Sequence, residues 1–144
     1  MGGRALMVCG ALLAAAGVLA GAYGAHGLEK HLANYDLSTV ETERRVDDYE
    51  VAVRYQMYHA LGLVAAGLLA KRRSSAWITL AATAWIAGVA LFSGCLYLRV
   101  FNQPVPGVLV MVGGLSYTLG WCALAAGAAR DTAEVPEIAR TVDR

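Results

Sequence analysis

The residues that could do chemistry are few and lie in or beside long apolar stretches, where polar side chains are expensive and mark bonding or functional positions. His59 stands one helical turn after Tyr55 and Gln56; His26, Ser93 and Tyr97 close other apolar stretches. An imidazole beside amides and hydroxyls would bind a lipid headgroup, quinone, ion or metal, or act as an acid/base with Tyr55 or Ser93. The plainer reading outweighs this at each position. His59 then bonds between helices, Gln56 bridges helices, and the tyrosines form an interfacial belt. His26 becomes a loop or cap residue, His31 a solvated one, and Met57 and Met111 packing. His26, His59, Cys95 and Met111 would suit a soft or borderline ion, yet no two have a diagnostic spacing and no acidic residue lies deep in an apolar stretch. Cys9, Cys95 and Cys122 sit in different apolar blocks with no CxxC spacing, so they read as small buried residues. No phosphate loop, nucleophile elbow, HExxH or dinucleotide fingerprint is present. No catalytic residue, metal ligand or cofactor is assigned.

The elements that must position these residues follow from composition. Of 144 residues, 58% are hydrophobic and 16% charged, with net charge +1, so nothing points to a nucleic-acid partner. One domain is expected. The apolar residues fall into four blocks, at about 5–25, 51–70, 76–98 and 105–129. Each has the roughly 20 residues a helix needs to cross the hydrocarbon core. Lipid offers no partner to backbone N–H and C=O groups, so such blocks must be helical. The expected fold is an all-α membrane protein, an antiparallel bundle of four transmembrane helices over 1–129. Arg4 and the apolar run ending near Ala20-Gly21-Ala22 also resemble a cleavable signal, but the run is longer than a usual signal core.

Lys71, Arg72 and Arg73 crowd the link between the second and third blocks, while Arg99 alone marks the 99–104 link. The positive-inside rule then puts both termini and the basic link in the cytoplasm, and the 26–50 loop outside. Every polar-rich block end falls in the outer half, with His59 about 12 Å deep. Ser38-Thr39-Val40-Glu41 matches a capping box, and Glu41–Arg45, Arg44–Asp48 and Glu50–Arg54 are spaced i,i+4. One helix of about 32 residues is expected from there to Ala70, its first turns in water. Leu28, Leu32 and Tyr35 read either as a short helix on the membrane surface or as a plain loop. Residues 130–144 read as a mobile cytoplasmic tail.

Helices in lipid associate through close backbone approach at small residues. Gly10, Ala14, Gly17, Gly21 and Gly24 form one such stripe, and Gly113, Ser116, Gly120, Ala123 and Gly127 another. His59, Gly62 and Ala66, and Ala87, Ala90 and Gly94, are the counterparts in the middle blocks. The spacing implies left-handed, near-antiparallel packing at about 20°. It leaves open whether the partner helix lies in the same chain or in another.

Several of these stretches together resemble a known family: Tyr23-Gly24-Ala25-His26-Gly27-Leu28, the run from Tyr49 to Leu61, Phe92-Ser93-Gly94-Cys95-Leu96-Tyr97, Gly113-Gly114-Leu115 and Gly120-Trp121. They look like the domain of unknown function 423 family of small bacterial inner-membrane proteins, similar to the eukaryotic transmembrane protein 256. The likeness runs from about Gly3 to Ala129. Cys95 departs from the family's usual Ser, and the Pro104–Gly107 loop matches only loosely. The resemblance implies four spans and no established activity. The leading expectation is therefore a non-enzymatic scaffold or accessory subunit in the bacterial inner membrane, partnered by the bilayer and by itself or a larger complex. The alternative is binding or transport of a small molecule, lipid, quinone, ion or metal at the outer polar cluster.

Overall fold

The structure, a computed structural model, describes residues 1–73 and 75–131, the side chain of Asp131 excepted. Among the described residues the chain forms five helices and no strand: α1 (Gly3–His26), α2 (Leu28–Leu32), α3 (Thr39–Arg72), α4 (Ala76–Val100) and α5 (Gly107–Asp131). Three helices, α1, α4 and α5, are long and apolar enough to cross a membrane by length and composition. The longest, α3, has 34 residues but carries Arg54, Gln56 and His59 through its apolar part. α5 starts at Gly107 rather than 105, because Val105 precedes Pro106 and is held out of the helical region. It also continues through Arg130, and the expected tail from residue 132 lies outside the described residues.

The first and last helices carry glycine at strict seven-residue steps, and both sets are spent inside the chain. Gly3, Gly10 and Gly17 of α1 face Gly67, Ala60 and Met57 of α3, and Gly24 faces Tyr49, so α1 and α3 run antiparallel. Gly113, Gly120 and Gly127 of α5 face Phe92, Trp85 and Trp77 of α4, which is again antiparallel. A Cβ at Gly10 would sit 2.6 Å from the Ala60 carbonyl oxygen, whereas one at Gly21 meets only Val53 at 3.6 Å. Gly21 is therefore not a point of close approach. On α4 the buried face is Ile78, Ala81, Ala82, Trp85 and Gly88, not Ala87, Ala90 and Gly94. Glycine on α5 makes room for aromatic rings on α4, and Gly88 of α4 does the same for Tyr117 of α5.

The end of the bundle that carries α2 and Asn102 is fastened separately. Ser38 Oγ accepts the Glu41 N–H at 3.2 Å and starts α3. The Glu41 carboxylate does not turn back to Ser38; it binds Arg45 at 3.1 Å and Arg44 at 3.2 Å. α4 ends in a Schellman motif, with Gln103 N–H on Leu98 O and Asn102 N–H on Arg99 O. Asn102 takes the left-handed conformation this needs, at φ 62°. Arg45 then donates to the Val100 carbonyl and to Asn102 Oδ1, each at 3.2 Å, satisfying groups at the end of α4 that the helix leaves free. Leu28 and Leu32 of α2 are buried against Tyr49 and Val100 in a small second core. α2 thus packs its apolar side on the protein, because both its leucines find apolar partners on α3 and α4.

Gly10→Val should lower detergent melting by about 1–3 kcal/mol in stability through overpacking, while Gly21→Ala should leave it unchanged; equal shifts would contradict the assigned register. The Arg45 hydrogen bond holds the Glu41 carboxyl below the usual carboxylate range. A depressed folded value means that this contribution is present above the unfolded carboxylate value and is lost as pH falls through the folded one. Acid titration of melting should therefore show a small loss below the carboxylate range that Glu41→Gln removes.

Candidate functional site

α3 lies between α1 and α4 and presents polar side chains to both sides. Toward α1, Tyr49 Oη donates to the Ala20 carbonyl at 3.0 Å and Gln56 Nε2 donates to the Leu13 carbonyl at 2.8 Å. The two donors are seven residues apart, as are the two acceptors, so one antiparallel register serves both. Tyr97 Oη of α4 donates to Gln56 Oε1 at 3.0 Å. Gln56, 6% exposed, thereby ties three helices together.

The other side of α3 carries His59, 3% exposed. Trp121 Nε1–H of α5 points at His59 Nε2 at 3.1 Å, and His59 Nδ1 lies 2.7 Å from the Tyr55 carbonyl. An indole N–H can only donate and a carbonyl only accept. The proton therefore sits on Nδ1, and Nε2 receives Trp121. Both ring nitrogens are used, and a second proton at Nε2 would set two donors face to face. The Tyr117 ring stacks on the imidazole at 3.5 Å and 9°, and Tyr117 Oη meets Ser93 Oγ at 3.1 Å. Ser93 is fully buried in a π-helical stretch of α4, Val89–Gly94. A π-turn widens the helix locally, and here it brings the backbone of Leu91 and Phe92 against Gly113. Trp85, fully buried below, packs its indole edge on Gly120, and its N–H has no hydrogen-bond partner.

The expected cluster therefore divides into two networks on opposite sides of α3. His59, Tyr55 and Ser93 belong to one, and Gln56 and Tyr97 to the other. His26 joins neither; it is exposed at the last turn of α1. Met111 is 67% exposed, so the soft-metal grouping of His26, His59, Cys95 and Met111 does not assemble. Among the described residues no three His, Cys, Asp or Glu side chains form a metal-holding group. Tyr117, Trp121 and Tyr49 complete the networks and were not singled out from sequence. The available signal was spacing: Tyr117 and Trp121 stand i,i+4 on α5, as Tyr55 and His59 do on α3. Beside His59 a cleft of about 460 Å³ opens between α3 and α5, walled by Tyr55, Tyr58, Phe92, Tyr117 and Trp121.

Residues 20–114 match the family described as Protein of unknown function (DUF423). The chain belongs to this family. It is a family of bacterial membrane proteins. A UPF0382 membrane protein of Staphylococcus saprophyticus is 35% identical over 127 residues, 86% of this chain and 96% of the relative. YwdK of Bacillus subtilis, a UPF0382 membrane protein, is 33% identical over 129 residues, 88% and 98% of the two chains. The UPF0382 inner membrane protein YgdD of Escherichia coli is 28% identical over 131 residues, 90% and 93%. No solved structure matches the chain. The described residues of this DUF423 protein are helical with three candidate membrane spans, and the family's function is unknown.

A double-mutant cycle with His59→Leu and Trp121→Phe should give a coupling of about 0.6 kcal/mol, typical of hydrogen bonds between helices in membranes. His59→Leu combined with His31→Ala should be additive. Detergent melting of the variants measures both, and zero coupling between His59 and Trp121 would remove the network's structural weight.

Proposed function

We propose that this DUF423 protein is a non-enzymatic scaffold or accessory subunit that crosses the bacterial inner membrane four times as an antiparallel bundle of α1, α3, α4 and α5. The carrying observation is that Tyr49, Gln56, His59, Ser93, Tyr97 and Tyr117 each have a partner within the chain. Groups spent on one another fasten helices and leave little for proton transfer or ligation. The same observation supports the fourth span. Gln56 and His59 face protein, Arg54 is exposed beside Glu50, and Leu61, Leu68 and Leu69 face outward. A helix of this kind enters lipid when its neighbours supply the acceptors. Leu12, Val18 and Leu19 of α1 and Met111, Leu115 and Leu119 of α5 give exposed apolar surfaces for lipid or for a membrane partner.

The basic residues at 71–73 support a cytoplasmic location for that link and both termini. The YgdD relative, an inner membrane protein by name, supports the location. A second reading rests on the aromatic cleft beside His59, whose walls suit a flat apolar ligand such as a quinone ring better than an ion.

In intact cells, Thr42→Cys should react with an impermeant thiol reagent, and Lys71→Cys only after permeabilisation. The reverse pattern would invert the topology, and labelling of both in intact cells would remove the fourth span. Native mass spectrometry from mild detergent should show a self-associated or partner-bound species; partner-free monomer alone would count against the scaffold role.

A further inference from the structure

The cleft beside His59 has one wall unlike the rest. That wall, on α3, carries Tyr55 and Tyr58, about one helical turn apart with ring centroids 6.1 Å from each other. Tyr49, Tyr97 and Tyr117 use their hydroxyls inside the chain. Tyr55 and Tyr58 do not: among the described residues neither hydroxyl meets a hydrogen-bond partner. The facing wall, on α5, is the Trp121 indole with Tyr117 and Thr118, and Phe92 of α4 packs on the Tyr55 ring at 4.9 Å. Trp121 already donates to His59, and Thr118 Oγ1 already donates to the Gly114 carbonyl at 3.2 Å. The hydroxyls of Tyr55 and Tyr58 are therefore the donors left over in a slot otherwise made of ring faces. We propose that this cleft holds the head of a neutral quinone, its ring against the aromatic walls and its carbonyl oxygens accepting from Tyr55 and Tyr58.

Three features select that occupant. Ring faces favour a flat ring between them. Two spare phenolic donors on one wall call for acceptor oxygens at the edge of that ring, and hydrocarbon supplies none. A long apolar tail also has somewhere to lie. Leu61 stands three residues after Tyr58, and Met111 and Leu115 stand three residues before Gly114 and Thr118. All three are more than half exposed, so a tail leaving the cleft continues onto an apolar surface. Both nitrogens of His59 are occupied, by the Tyr55 carbonyl and the Trp121 N–H, so the geometry fits holding a quinone and not reducing it. This deepens the second reading of the cleft, as a site for a flat apolar ligand. It also rests on the bilayer-crossing reading, which thiol labelling at positions 42 and 71 tests separately.

The full chain in detergent is titrated with decylubiquinone, and quenching of its tryptophan fluorescence is followed. Decylbenzene, which keeps a ring and the tail but lacks the oxygens, and dioleoyl phosphatidylglycerol serve as competitors. Quenching should saturate, and decylbenzene should displace the quinone only weakly. Tyr55→Phe and Tyr58→Phe should each weaken binding about threefold, the weight of one hydrogen bond in a membrane protein. A Cβ at Gly114 meets only Phe92 ring carbons, at 3.7 and 3.8 Å, so a side chain fits there and enters the cleft. Gly114→Leu should therefore abolish saturable quenching; Thr118→Phe serves the same purpose if the first variant melts early. Tyr23→Phe, away from the cleft, should leave affinity unchanged. Equal competition by decylbenzene would overturn the quinone and leave the flat-ligand reading standing, whereas no saturable quenching of the folded chain would overturn both. Unchanged affinity in both cleft tyrosine variants, an equal loss in Tyr23→Phe, or saturable binding kept by a folded filled variant would also overturn the proposal. Displacement by phosphatidylglycerol would overturn it in favour of a lipid.

Discussion

A buried polar side chain has to find its partner on a neighbouring helix, and that requirement organises this molecule. α3 carries the burden. Tyr49 and Gln56 reach carbonyls of α1 that already accept one helical bond each and have a second lone pair to offer. The acceptors are within reach because Gly10, Gly17 and Gly24 let the α1 backbone come close. The seven-residue step therefore does two things at once: it spaces the glycines that permit approach and the donors that exploit it. On the other side, α4 and α5 use the same step, with glycines seating Phe92, Trp85 and Trp77.

The π-helical stretch of α4 connects these two pairs. By widening the helix at Val89–Gly94 it presses backbone against Gly113 and turns Ser93 fully inward, onto Tyr117. Tyr117 in turn covers the imidazole of His59. The helices α3, α4 and α5 thus meet at one stacked group of rings and hydroxyls. Beyond it, Arg45 locks the first turns of α3 to the end of α4, and Leu28 and Leu32 close that end.

Much of this was legible from the residues. The apolar blocks marked where α1, α4 and α5 run, and Ser38 marked the start of α3. The stripes through Gly10, Gly17, Gly113 and Gly120 identified the close faces. The partners were not legible, because spacing along one helix fixes a face but not what lies opposite. For that reason Gly21 was grouped with the tight glycines, and Ala87, Ala90 and Gly94 were taken as the α4 face. His26 was placed with the outer cluster by depth alone, yet its direction around α1 points it outward. The π-turn leaves no signature in composition, and Trp121 entered the reading only through the Gly120-Trp121 motif.

The bond between Trp121 and His59 spans 62 residues of sequence and has a consequence for biogenesis. In the proposed topology α3 leaves the translocon when only α1 is available to receive it. Tyr49 and Gln56 find their acceptors at once, whereas Nε2 of the imidazole has none until the final helix is released. A nascent chain interrupted before α5 would hold an unanswered lone pair in the membrane, a mark by which quality control can tell an unfinished protein from a complete one.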